Sequence, residues 1–292
     1  MLCVMGSSVT TLNATAAVSV THGEPEDARP RALWRSVAMP TEHGGWGLSA
    51  EPGLLGVLVA PSWAGLAISL AAVVAFLART PLKLAVVDHR RGRDLPRTRL
   101  ARRIAAGELA MLAVLAGTAV ALSGTEWLVP LVVAAPLIAV ELWFDVRSRS
   151  RRLIPELSGS VGICSVAAAV AIAGGAETRL AVALWLVLAA RAVATVTFAR
   201  VQVVRFRQLQ RPELRADVTQ SDLAQGVGLV LAVVAFAVEP SVLAGSVLIG
   251  AVTVWELFMV RRPPVRPKVL GFTQLGIGLS LVAVTALSTA IS

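Results

Sequence analysis

Apolar runs of helical length follow one another along this chain, separated by short polar breaks. They lie near 46–60, 61–79, 102–122, 127–146, 157–174, 179–205, 221–238, 240–260 and 268–290. Each is bounded by the charged or Gly/Pro clusters that end helices. A bilayer core about 30 Å thick needs about 20 apolar residues per helix, and most of these runs are of that order. In lipid only helices and closed barrels satisfy every backbone group. The pattern therefore predicts an all-α integral membrane bundle of about nine transmembrane helices. The stretch from Trp46 to Arg79 can be read as one long span or two; Ala60-Pro61-Ser62-Trp63 has the character of a turn, which favours two.

Composition removes the soluble alternative. Of 292 residues, 56% are hydrophobic and only 15% charged, with a mean hydropathy of +0.74, far from the balance of a soluble domain. The net charge of +9 could point to nucleic acid, but the arginines are interleaved with spans rather than gathered on a soluble face. Topology accounts for them. The breaks at 80–103, 147–152, 200–215 and 261–268 are rich in arginine, whereas Ser123-Gly124-Thr125-Glu126, Gly174-Gly175-Ala176-Glu177 and Val238-Glu239-Pro240 carry no Lys or Arg. Under the positive-inside rule the basic breaks are cytoplasmic. Arg29, Arg31 and Arg35 place the N-terminus inside, and nine crossings leave the C-terminus outside.

Residues 1–35 read as a disordered cytoplasmic tail without the basic start and apolar run of a secretory signal; residues 36–292 form the transmembrane domain. Trp46, Trp63, Trp127, Trp143 and Trp255 fall at expected helix ends, where an interfacial ring belongs. Cys3 and Cys164 have no metal-ligand spacing and read as small apolar fillers.

A short internal repeat is visible. Glu141-Leu142-Trp143-Phe144-Asp145-Val146-Arg147 resembles Glu256-Leu257-Phe258-Met259-Val260-Arg261, and Phe76-Leu77-Ala78-Arg79 resembles Phe198-Ala199-Arg200. A four-helix unit repeated twice, with one helix added, would run both halves parallel and place a shared site between them.

The candidate chemistry lies mainly in the basic breaks. Arg79 and Lys83 are four apart and share a helix face if Pro81 does not break the helix. With Arg200 and Arg205 at the equivalent place in the second half, they could hold phosphate oxygens. Asp88 and Asp94 could hold a divalent metal bridging a diphosphate. The same basic loop is also what topology alone demands. Arg191 sits well inside a span, where an ionisable group is a functional candidate by default. It forms a polar stripe with Thr195, Gln202 and Arg205, and could equally make an internal ion pair with Glu108 or Glu51. Glu42 and His43, in Met39-Pro40-Thr41-Glu42-His43-Gly44-Gly45-Trp46-Gly47, supply a candidate acid and base; a turn leading into the first helix is the plainer reading.

That nine-residue segment, followed by Arg79-Thr80-Pro81-Leu82-Lys83 and by Asp88 with its arginines, resembles the YwiC-like family of bacterial membrane proteins. The resemblance implies a multi-pass protein of the bacterial cytoplasmic membrane and no particular chemistry. More distantly, the chain is similar to the UbiA superfamily of intramembrane prenyltransferases in its nine helices, two halves and polar loops after helices two and six. This similarity implies a polar pocket between the halves for an isoprenoid or lipid diphosphate, with magnesium as cofactor. The superfamily's first aspartate-rich motif is reduced here to Asp88 and Asp94, and its second is replaced by Arg205-Phe206-Arg207 with Asp217 and Asp222 following. Three readings emerge: a divergent prenyltransferase, a carrier for an anionic substrate centred on Arg191, and a non-catalytic membrane scaffold.

Overall fold

A computed structural model describes Trp34, Val37 and residues 45–92, 94–147 and 152–292. Most of the expected tail, together with Glu42 and His43, lies outside the described residues. Nine α-helices occur among those described: α1 (Gly45–Val59), α2 (Trp63–Arg90), α3 (Pro96–Ser123), α4 (Leu128–Val146), α5 (Leu153–Ala173), α6 (Thr178–Gln208), α7 (Val218–Val238), α8 (Leu243–Met259) and α9 (Pro267–Ala290). A 3-10 turn, Pro240–Val242, leads into α8. Eight helical stretches are long and apolar enough to cross a membrane. The described part of α1 is shorter, about 22 Å at 1.5 Å per residue.

The helix ends follow local chemistry. Trp46 to Arg79 divides in two because Ser62, in an extended conformation, accepts a hydrogen bond from the Gly65 amide at 2.9 Å and starts α2. Asp217 caps α7 in the same way through the Thr219 amide. Pro96 and Pro267 occupy the first turns of α3 and α9, where a missing N–H costs nothing. Gly124 and Gly175 close two of the breaks that carry no Lys or Arg at φ of 73° and 84°, a region other residues avoid.

The long basic break expected at 80–103 is largely helical. α2 runs through Pro81 to Arg90 and α3 begins at Pro96. Proline removes one backbone hydrogen bond from the ladder, but Arg79 and Lys83, on either side of it, both grip Asp145 of α4 and hold the flanking turns in line.

α6 and α5 are the most buried spans and α3 the least. The contact faces are built of small residues, as suits helices packing without a hydrophobic driving force. Val166 to Ala171 of α5 are all buried. Gly56 of α1 meets Val170, and Gly228 of α7 lies against the Ala190 carbonyl. On the outside, Val114, Val132, Val133, Val230 and Val254 are each more than half exposed, an apolar belt facing lipid. Trp63 and Trp143 are exposed near helix ends. Trp127 differs from its expected interfacial place: its ring is buried against Ala67, Ile68 and Ala119, and its Nε1–H donates to the Gly124 carbonyl at 2.9 Å.

The repeated motifs fall on corresponding helices, Phe76 to Arg79 and Phe198 to Arg200 on α2 and α6, and the Glu-Leu motifs at the ends of α4 and α8. α2 packs closely along α3 and α6 along α7, while α4 pairs with α5 and α8 with α9. α1 sits among α2, α5 and α9.

Candidate functional site

At the basic end of α2, the four-residue spacing does put Arg79 and Lys83 on one face, and that face is turned to α4. Arg79 reaches Glu141 Oε1 at 2.6 Å and donates through Nε to Asp145 Oδ2 at 2.9 Å; Lys83 reaches Asp145 Oδ1 at 2.6 Å. Gly159 of α5 leaves the space that the Glu141 carboxylate fills. In the second half, Arg200 pairs with Glu156 at 2.9 Å. Arg205 donates to the carbonyls of Val260 and Arg262, and Gln202 to that of Met259 at 2.9 Å. Gln202 and Arg205 therefore close the C-terminal end of α8, where donors and positive charge satisfy the last carbonyls. At the same end, Arg261 donates to both oxygens of Asp222, at 3.1 and 2.8 Å, and that carboxylate raises its pKa above the ordinary value.

Asp88 is buried and accepts a hydrogen bond from Thr98 Oγ1 at 2.6 Å, with Arg97 at 3.5 Å. Asp94 is exposed and pairs with Arg99 at 3.2 Å and Arg102 at 3.6 Å. Asp88 thus ties the end of α2 to the start of α3, and Asp94, in the connection between them, bonds to α3. Magnesium requires near-octahedral oxygen ligation, and among the described residues no three His, Cys, Asp or Glu side chains are grouped to hold a metal ion. As placed, the described donor set does not fit that ion.

A second constellation lies inside the bundle and draws on five helices. Arg191 of α6 donates through Nη1 to Glu51 Oε2 of α1 at 2.6 Å and through Nη2 to the Gln274 carbonyl of α9 at 2.7 Å. Gln274 Nε2 donates to Glu256 Oε1 of α8 at 2.8 Å, and Gln225 Nε2 of α7 donates to Glu256 Oε2 at 2.5 Å. Thr195 Oγ1 stands 3.4 Å from Gln274 Oε1. All six residues are at least nine-tenths buried. Of the two carboxylates offered by the sequence, Arg191 takes Glu51; Glu108 sits on α3, the least buried span. Gly278 makes the pair sterically feasible, because a Cβ there would overlap Glu51 Oε1.

Charge buried in an apolar medium is tolerated only when it is paired and hydrogen-bonded, and this network is incompletely satisfied. Glu51 Oε1, Arg191 Nε, Gln225 Oε1 and Thr253 Oγ1 are buried without a partner among the described residues. Arg191, Thr195 and Thr253 also line a cavity of about 10 Å³, enough for about one water molecule. Gln225 and Gln274 each lie about two turns past the first residues of their helices, Val218 and Pro267, which sets the network about 10 Å inside the basic end of the bundle.

Arg191, Thr195 and Gln202 were legible as a polar stripe. Gln225, Gln274 and the role of Glu256 were not singled out, although an acid within an apolar run is itself a signal.

The fold and its apolar exterior define a multi-pass, all-helical membrane protein. Residues 39–171, somewhat less than half of the chain, match the model of the YwiC-like protein family, so the chain is similar to that family over that stretch, as the motifs at 39–47 and 79–88 implied. No curated protein and no solved structure matches the chain.

Proposed function

We propose that this protein is a membrane carrier that takes up an anionic substrate at the Arg191 network from the basic side of the bundle, the side that the positive-inside rule favours as cytoplasmic. The carrying observation is Arg191 itself. It is buried at a junction of several helices, its Nε has no hydrogen-bond partner among the described residues, and it borders a water-sized cavity. A guanidinium so placed has a free donor for a carboxylate or phosphate oxygen. A binding site at the packing junction of two helical halves is also the usual arrangement in secondary transporters.

The competing reading, divergent UbiA-like prenyl transfer, requires Arg79, Lys83, Arg200 and Arg205 to leave their present partners for a diphosphate. It also requires Asp88 and Asp94 to turn to magnesium, with Glu42 or His43 as acid or base. The two readings separate in one experiment. Purified protein in nanodiscs is titrated with inorganic phosphate, succinate and geranyl diphosphate, the last with and without magnesium, for wild type, Arg191→Gln and Asp88→Asn. The carrier reading expects saturable binding of phosphate or succinate that Arg191→Gln abolishes and Asp88→Asn leaves intact. Magnesium-dependent binding of the prenyl diphosphate, lost in Asp88→Asn, would overturn it in favour of the transferase.

A further inference from the structure

The interior network holds two carboxylates, Glu51 and Glu256, against one guanidinium, Arg191. Cys164 of α5 lies within electrostatic reach of Arg191 and Glu51, and its thiol adds no positive charge. α7 and α9 contribute only the amides of Gln225 and Gln274 to Glu256, while Asp222, about one turn from Gln225, is bound to Arg261. With both acids ionised, the group would carry one uncompensated negative charge inside the bundle, which is costly in a medium without water. One proton or one monovalent cation would restore balance.

The ligands discriminate between these. Metal cations are held by convergent oxygens, but each Glu256 oxygen faces an amide N–H, and no metal-holding group of side chains is present among the described residues. A proton needs one acceptor. Gln225 Oε1, buried and unpartnered, becomes that acceptor if its amide turns over when Glu256 is protonated. Glu51 already has its compensating charge in Arg191, so the added proton belongs on Glu256.

We infer that Glu256 is a proton-binding site of the membrane interior, held by Gln225 and Gln274, and that a second proton, on Glu51, is coupled to occupancy of the Arg191 site. The coupling rests on the anion-carrier reading; the proton site does not. When an anion takes Arg191 from Glu51, one further proton on Glu51 keeps the network neutral. The substrate would then enter with a proton rather than alone. No bond other than O–H is made or broken: the proton comes from solvent on the basic side and returns to solvent on release.

The test is infrared spectroscopy of the purified protein in nanodiscs, with glutamate labelled with carbon-13 at the side-chain carboxyl, scanned for the carbonyl stretch of a protonated carboxylic acid at pH 7. The expected result is a label-sensitive band that is lost in Glu256→Gln and retained in the double variant Arg191→Gln, Glu51→Gln, which removes the ion pair as a whole and leaves Glu256 without a counter-charge, with both proteins monodisperse on size exclusion. Gln225→Leu, which removes one partner and leaves the acid, should shift the band. Absence of the band in wild type, its persistence in Glu256→Gln or an unshifted band in Gln225→Leu would overturn the assignment. Failure of the carrier reading shows separately, as anion binding indifferent to Arg191→Gln while the band behaves as expected.

Discussion

Removing one member of the Arg191–Glu51 pair should cost far more than removing both. The pair is 2.6 Å long, its side chains are 5% and 3% exposed, and Arg191 also donates to the Gln274 carbonyl. In Arg191→Gln, Glu51 keeps a carboxylate inside the bundle with neither oxygen compensated, since Oε1 already lacks a partner. Breaking a buried pair from one side destabilises by about 3–5 kcal/mol. Glu51→Gln strands the guanidinium and should cost somewhat less, about 2–3 kcal/mol, because the Gln274 carbonyl still accepts from it. The double variant leaves two neutral amides able to bond each other and should lie about 1–2 kcal/mol below wild type. The single losses then fail to add by several kcal/mol, well beyond the 0.3–0.5 kcal/mol scatter of independent sites, roughly. The assay is reversible unfolding in mixed micelles titrated with a denaturing detergent, with all four proteins measured as a cycle. Additive single losses would refute the claim that this is one coupled buried pair.

Two further outcomes follow from packing. Gly278→Ala drives a methyl group into Glu51 and Arg191 and should destabilise by about 1–3 kcal/mol as an overpacking change, whereas Gly226→Ala, with open space around it, should be neutral or slightly stabilising in the same unfolding assay. In a Cys3→Ser background, Cys164, which is 2% exposed and donates its S–H to the Ser160 carbonyl, should resist a membrane-permeant maleimide in the folded protein and react fully once unfolded; rapid labelling of the native state would contradict the packing of α5.

Much of the architecture was legible because lipid imposes so narrow a choice. A backbone with no water to bond must form helices of a set length, so the nine apolar runs correspond to the nine α-helices among the described residues, and the break at Pro61-Ser62 divides the first two. The basic run at 80–103 differs from its sequence pattern in being mostly helical. Its charges read as a loop, but those of Arg79 and Lys83 are neutralised by Glu141 and Asp145, more than fifty positions away, and a charge paired across helices does not end a helix.

The candidate site divides along the same line. Composition and periodicity determined that this is a multi-pass helical membrane protein, which residues interrupt its spans, and that Arg191 requires an interior partner, because hydropathy and helical spacing are local properties of the chain. Only the tertiary structure decided which partner that is. It selects Glu51 over Glu108, brings Gln225, Glu256 and Gln274 together from three helices, and directs Arg205 to the end of α8. Ion pairs and amide bonds act over about 3 Å, and which groups come that close depends on helix packing, where a glycine such as Gly278 determines what two distant charges can reach.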